Sequence, residues 1–426
     1  MLTALLLACR VEPVPGIDPQ IDLPAPRCLD HAYLSIDGLG ELVFARPDEA
    51  LSFTPDEFEA ILDVLGDDIG LAPFQHAVDT WQIRYATQDR GEPAQGTGVV
   101  VVPRDLPGPH PVVLWLHPTA GANDVCAPSG LGVYGAGLPL AIAAHLGVVV
   151  VAPDFLGLSH GPPASTSLHP YVVPEPTAIA ALDAVRATRR LAEREGFDVL
   201  TEAFVPWGVS QGGHAALWVD RYQPGYAPEL GIAGVVAAIP PTDMLRLFER
   251  ASTSFSRASE ALPAVMIATS DWYSLDATAL LQPGIADTVR DAMESGCDVL
   301  DPAGELDDLD ALFTEGLREG DLPDDWRCAL EDNRITTSPL QPSGAPMLVI
   351  LGEDDQLAWS DIARADAETL CAEGARIELL ECAASDHEDA GIRTFFVQEA
   401  WAAERFAGRD ITGSCELPGP AACPEL

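Results

Sequence analysis

One serine is set in Gly208-Val209-Ser210-Gln211-Gly212, between an apolar run, FVPWGV, and a stretch of helical composition, GGHAALW. A strand leading into G-x-S-x-G and a helix leading out describe a turn that lifts a serine hydroxyl clear of its strand. Such a turn strains the backbone, and flanking glycines let neighbouring chains approach closely. The hydroxyl then sits at the positive end of a helix dipole. It attacks only when a base removes its proton. Two histidines lie C-terminal to it. His214 is one helical turn along the same helix and cannot reach round to Ser210, so it is read as a packing or hydrogen-bonding residue. His387, in AASDHEDAG, follows the last apolar run and opens a helical stretch. It is the base by elimination and by position.

The acid that orients His387 must end the strand before it. MLVILGEDDQLAW offers Glu353, Asp354 and Asp355 there. The Gly352-x-x-Asp355 spacing favours Asp355, because the glycine begins a turn that carries the carboxylate outward; Asp354 is the reserve. Asp386 adjoins His387 and cannot fold back onto its neighbour's imidazole. Asp355 would hold the imidazole tautomer and stabilise the imidazolium formed during attack. The developing oxyanion needs preorganised donors. The amide of Gln211 is one. The other comes from the loop His117-Pro118-Thr119-Ala120-Gly121, where Pro118 has no N–H and Thr119 is therefore expected to donate. These groups together would perform acyl transfer to water, with Ser210, His387 and Asp355 expected as the catalytic set and Thr119 and Gln211 as the oxyanion hole.

The elements that must position them are legible from about residue 79. DTWQIRYATQD and GTGVVVVPR read as a strand pair joined by RGEPAQ. PVVLWLHP, GVVVVAPDFL, FVPWGVS, GIAGVVAAIP, MLVILGEDD and RIELLEC are short apolar runs bounded by Gly, Pro or Asp, as in strands buried on both faces. GLPLAIAAHLG, EPTAIAALDAVRATRRLAEREG, GGHAALWVDRY and the segment from Ser360 to Glu373 alternate with them as helices. That alternation predicts an α/β fold, a mainly parallel sheet covered by helices on both faces. Residues 243–340 are acidic, helical by pattern and lack a strand run. Four parts follow: a signal- or lipoprotein-like segment and tether (1–30), the first part of the core (31–242), an inserted helical cap (243–340), and the second part of the core with a C-terminal tail (341–426).

The chain has 426 residues, 47% of them hydrophobic, and a net charge of −43 with Arg as its only basic side chain apart from His. So acidic a surface repels phosphate backbones, and nucleic acid is excluded as a partner. No metal or cofactor is implied, because HExxH, zinc-spaced Cys/His clusters and a Walker loop are all missing. DPAGELDDLDAL lacks EF-hand spacing and reads as a solvated acidic face. The opening MLTALLLAC resembles a bacterial lipoprotein signal, although no basic residue precedes its short apolar run. It implies a secreted or periplasmic protein with a membrane tether through Cys9; the chain is separately expected to be a monomer. The other eight cysteines are an even number that suits an oxidising compartment, with their pairing open.

Residues 110–245 resemble the secretory lipase family, the α/β-hydrolases similar to Candida lipase A. The segments HPTAGANDVCAPS, VAPDFLGLS with HPYVVPEPTAIAALDAVRA, WGVSQGGHAALW and YAPELGIAGVVAAIPPTD carry the resemblance, and GEDD and SDHEDAG extend it. The sequence departs from the family at Pro118, where Gly is usual, and at Phe155, where Tyr is common. The resemblance implies carboxylic ester hydrolysis beneath a helical cap, on a small-molecule or lipid ester, and a disulfide at Cys126. Two other readings remain open: a carbohydrate acetyl or feruloyl esterase or serine peptidase on the same fold, and a catalytically dead scaffold used for surface binding.

Overall fold

The computed structural model describes residues 21–423 except 22, 25–26, 30, 66–73, 305 and 307. The expected signal segment and Cys9 lie outside the described residues. Among the described residues nine strands form one sheet: β1 (Leu42–Pro47), β2 (Val78–Asp89), β3 (Glu92–Pro103), β4 (His110–Leu116), β5 (Val149–Asp154), β6 (Val199–Val209), β7 (Val235–Ala238), β8 (Met347–Gly352) and β9 (Ile377–Cys382). Their order is β1-β2-β3-β5-β4-β6-β7-β8-β9. Pairings from β5 through β9 are parallel and the three at the β1 end are antiparallel. This is the α/β-hydrolase architecture expected from the sequence.

The apolar runs sit where alternation sends them. Val112, Leu114 and Leu116 of β4 face the helices Pro174–Glu195 and Gln211–Tyr226, while Val113 and Trp115 face the helices Val133–Leu146 and Phe395–Phe406. Each face therefore has its own buried cluster, and strands between them need no polar side. The helix Pro174–Glu195 begins with proline in its first turn and ends at Gly196, whose φ of 82° closes it in the left-handed conformation.

Two features depart from the sequence expectation. The connection between β2 and β3 is not the six-residue RGEPAQ but the pair Arg90-Gly91, with φ of 49° and 74°. Positive φ at both central residues is the turn that matches strand twist. Glu92 to Gln95 continue β3, and Pro93 is tolerated because β3 there has only β2 as a neighbour. Secondly, β1 precedes the region where periodicity begins. It is an edge strand exposed at Val43, Phe44, Arg46 and Pro47, with a register irregularity between Leu42 and Phe44, so its sequence shows no apolar alternation to read.

Between β7 and β8 the described residues form helices and no strand, chiefly Met244–Thr253, Arg257–Tyr273, Ile285–Ser295 and Asp324–Asp332. They enclose an apolar cluster of their own around Phe248, Met266, Val289 and Phe313. Four disulfides join Cys28 to Cys328, Cys126 to Cys297, Cys371 to Cys415 and Cys382 to Cys423. Two of them tie the helical insertion to the rest of the chain, one through Cys126 as the resemblance implied. Without reductant, iodoacetamide should leave these eight cysteines unmodified, and peptide mapping should return Cys126 linked to Cys297. A free thiol at Cys126, or a different partner for it, would contradict the pairing.

Candidate active site

β6 ends at Val209, and the chain turns at Ser210 with φ 57° and ψ −116° before the helix Gln211–Tyr226. A residue with a Cβ enters that region only when its surroundings force it, at a cost of about 1–3 kcal/mol. Here the Ser210 N–H donates to the Ala238 carbonyl at the end of β7 (2.8 Å). Both flanking glycines answer to close approach. A Cβ on Gly208 would stand 2.0 Å from the Gly212 carbonyl oxygen, and one on Gly212 would stand 1.8 Å from that of Leu116. The backbones are thus packed to a distance that alanine cannot enter.

His387 opens the helix His387–Arg393, whose N-cap is Asp386, accepting from the Asp389 N–H (2.9 Å). Asp386 is occupied with capping and makes no bond to the His387 imidazole among the hydrogen bonds of this site. Asp355 hangs from the turn after β8, its N–H donating to the Gly352 carbonyl (3.2 Å). Its Oδ1 accepts from the amides of Leu357 and Ala358, both at 2.8 Å, and its Oδ2 lies 2.7 Å from His387 Nδ1. His387 Nε2 is in turn 2.7 Å from Ser210 Oγ. With Nδ1–H donated to the carboxylate, Nε2 carries the lone pair that accepts the serine proton. Of the three carboxylates after β8, Asp355 alone is buried; Glu353 and Asp354 are exposed, and Glu353 accepts from the Ala384 N–H on the loop before His387.

Leu116 pairs with Gly208 across β4 and β6, which brings the loop 117–121 alongside the Ser210 turn. Pro118 and Thr119 line the same cavity as Ser210 and His387. Gln211 is the first residue of its helix, so its N–H has no partner inside the helix. His214 is buried and hydrogen-bonds the Pro241 carbonyl through Nδ1 (2.9 Å), the structural role expected of it.

Sequence reading missed the support behind these groups. His169 Nδ1 donates to the Leu156 carbonyl (2.7 Å), so its Nε2 accepts from Gln211 Nε2 (2.5 Å). The Tyr171 hydroxyl lies 2.9 Å from Thr119 Oγ1. Glu388, next to His387, lines the cavity and forms a two-pronged ion pair with Arg257 (2.7 and 2.8 Å). That guanidinium holds the Glu388 carboxyl down at about 2. The signal available beforehand was the HPY triplet within a quoted motif, but only the tertiary fold assigns its contacts.

The cavity above Ser210 has a volume of about 430 Å³ and apolar walls, with Trp115, Leu138, Val209, Ile239, Leu300, Leu357 and Phe395 among them. Among the described residues no group of His, Cys, Asp and Glu is arranged to hold a metal ion, and no helix is long and apolar enough to cross a membrane.

The secretory lipase family model matches residues 138–269. That span contains Ser210 but neither Asp355 nor His387, so the latter two rest on geometry. A "probable inactive lipase" of Mycobacterium tuberculosis is 27% identical over 369 residues, 81% of this chain and 77% of the relative. The rice cell wall degrading esterase LipA of Xanthomonas oryzae has the same fold, with a TM-score of 0.70 and 21% identity over 86% of this chain and 97% of its own. Candida antarctica lipase A in its closed state matches with a TM-score of 0.69 and 17% identity, covering 90% of this chain and 86% of its own. Over residues 138–269 the chain is similar to the secretory lipases, and its fold is that of the α/β-hydrolases. Its four disulfides fit the secreted setting that the family's name denotes.

The site carries a pH signature. Burial pushes His117, His169 and His214 down, to about 4, 3 and 4. A base whose folded pKa lies below its unfolded value of about 6.5 is protonated first in the unfolded chain. Its contribution is therefore full above about pH 6.5 and lost as the pH falls toward about 4, at up to about 1.4 kcal/mol per pH unit for each imidazole. Calorimetric unfolding midpoints should fall steadily across that window, and His169→Gln should make the fall shallower. A midpoint flat between about pH 6.5 and 4 would contradict three buried neutral histidines.

Proposed function

We propose that the chain is a serine carboxylic ester hydrolase working through an acyl-enzyme on Ser210. The observation that carries this reading is the unbroken line of hydrogen bonds from Ser210 Oγ through His387 to Asp355, both at 2.7 Å, at the floor of an apolar cavity. Ser210 Oγ attacks the ester carbonyl carbon while its proton passes to His387 Nε2. Asp355 holds the imidazole by Nδ1 and balances the imidazolium; its second oxygen is tied to two amides, so the carboxylate does not swing. The carbonyl oxygen, now negative, is met by the Gln211 amide at the helix N-terminus and by the Thr119 amide. Collapse expels the alcohol, which takes the proton from His387. Water then adds to the acyl carbon with His387 again as base, and Ser210 is released with the acid. No metal or cofactor enters these steps.

The walls favour an apolar acyl group of short to medium length. A sugar ester would call for aromatic platforms at the cleft, as would a cell wall ester of the kind named for the Xanthomonas esterase. Trp272 and Tyr273 do not serve: they pack together in a separate cluster, with Trp272 Nε1 donating to Asp89 and the Tyr273 hydroxyl bonded to Asn333. The name of the mycobacterial relative raises the reading of a dead scaffold, against which stands the intact line of hydrogen bonds here. A lipid tether at Cys9 and a monomeric state remain part of the proposal.

Ser210→Ala should abolish hydrolysis of p-nitrophenyl esters while leaving the unfolding midpoint near that of the parent; retained turnover would sink the assignment. Across a series from acetate upward, kcat/KM should rise by up to about fourfold per methylene, from about 0.8 kcal/mol per buried CH₂, until the cavity is full. A preference for acetylated xylan over every p-nitrophenyl ester would favour the sugar esterase instead.

A further inference from the structure

The hydrogen bond between Thr119 and Tyr171 is not used by an oxyanion hole built from amides alone. Thr119 lines the Ser210 cavity, and its Oγ1 stands 2.9 Å from the Tyr171 hydroxyl. Tyr171 is 5% exposed and so belongs to the interior rather than the cavity mouth. Its backbone is braced on the same side: the His169 N–H donates to the Ala122 carbonyl (2.8 Å), and the Tyr171 N–H to that of His169 (2.8 Å). His169 meanwhile holds the side chain of Gln211. One short stretch, His169-Pro170-Tyr171, thus touches both residues expected to supply oxyanion amides.

Two hydroxyls in one hydrogen bond use only one of their two protons, and acidity decides which. A phenol is the stronger donor and an aliphatic hydroxyl the better acceptor. Burial raises Tyr171 to about 12, so the phenol stays protonated wherever the protein works. Tyr171 therefore donates, Thr119 Oγ1 accepts, and the proton of Thr119 is left for another acceptor. Accepting a hydrogen bond also polarises the Thr119 O–H and strengthens it as a donor.

We propose that the Thr119 hydroxyl is a third donor to the oxyanion, with Tyr171 as the positioning residue that aims and strengthens it. This rests on the serine hydrolase reading of Ser210. The hydroxyl forms and breaks no covalent bond; it meets charge on the carbonyl oxygen that appears as Ser210 adds and disappears as the alcohol leaves. Its effect therefore belongs to kcat rather than KM.

The test compares Thr119→Val, Thr119→Ser, Tyr171→Phe, the Thr119→Val/Tyr171→Phe pair and Ser210→Ala on one p-nitrophenyl ester, with phenylboronic acid inhibition as a second readout. Valine keeps the shape and the backbone amide and removes only the hydroxyl. Thr119→Val should lower kcat by about 10- to 100-fold, with KM within about twofold, at or below the loss of one oxyanion donor. Thr119→Ser should restore most of that loss. Tyr171→Phe should lower kcat by about tenfold in the parent and not further beside Thr119→Val, since one role is lost once. The Ki of the boronate, whose serine adduct is a tetrahedral anion, should rise in both single variants. If Thr119→Val fails to fold, Tyr171→Phe decides alone: unchanged kcat and Ki would overturn the proposal. Full kcat in Thr119→Val beside a dead Ser210→Ala would overturn it and leave the serine hydrolase reading standing. Equal losses from Tyr171→Phe in both backgrounds would overturn the coupling. Turnover by Ser210→Ala would overturn both readings together.

Discussion

The close approach of three backbones at the Ser210 turn is the constraint from which the site is built. β6 delivers the chain to Ser210 with a positive φ, and nothing local stabilises that conformation in a residue with a side chain. What holds it is the contact of the following helix with the ends of the neighbouring strands. Gly212 lies against the Leu116 carbonyl at the end of β4, and the Ser210 N–H reaches the end of β7. Parallel strands end together at one edge of the sheet, so the same packing fixes where the loops after β4 and β8 emerge. The placement of the loop 117–121 and of Asp355 follows from that edge, as does that of the loop after β9 that carries His387.

The helical insertion is fastened at two points, by a disulfide and hydrogen bonds to the chain after β4 and by an ion pair beside His387. Cys297 is bonded to Cys126, just beyond the oxyanion loop, and Asn123 donates to the carbonyls of Met293 and Gly296 at the end of the helix Ile285–Ser295 (both 2.7 Å). Gly121 must lack a Cβ because one would stand 2.5 Å from Cys126 Sγ. At the second point Arg257, first residue of its helix, pairs with Glu388. That pair matters electrostatically too. Glu388 is the permanently charged side chain of an otherwise apolar wall, adjacent to the histidine, and Arg257 neutralises it in place. In a chain with a net charge of −43, the one carboxylate lining this wall is thus paired with a guanidinium.

The sheet was largely readable because its strands are buried on both faces, and continuous runs such as VVLWL and MLVIL have no other stable home in a soluble fold. Ser210, His387 and Asp355 were expected together because few residues qualified: one histidine followed the final strand, and the turn spacing from Gly352 favoured Asp355; in the fold hydrogen bonds join these three side chains. β1 and the length of the β2–β3 hairpin escaped because an edge strand shows no apolar alternation and a Pro-containing strand imitates a loop. The disulfide partners, the Arg257–Glu388 pair and the bracing of Thr119 and Gln211 by Tyr171 and His169 join residues far apart in sequence. Such contacts leave no local periodicity, and only the folded chain supplies them.

The central claim is that the Ser210 hydroxyl is an activated nucleophile rather than an ordinary side chain at a tight turn. A fluorophosphonate reacts with serine only when a neighbouring base and an oxyanion hole are in place. The folded protein should take up one adduct per chain, mapped by mass spectrometry to the peptide containing Ser210, and the denatured protein none. A folded protein that stays unlabelled, or that is labelled at another residue, would contradict the account.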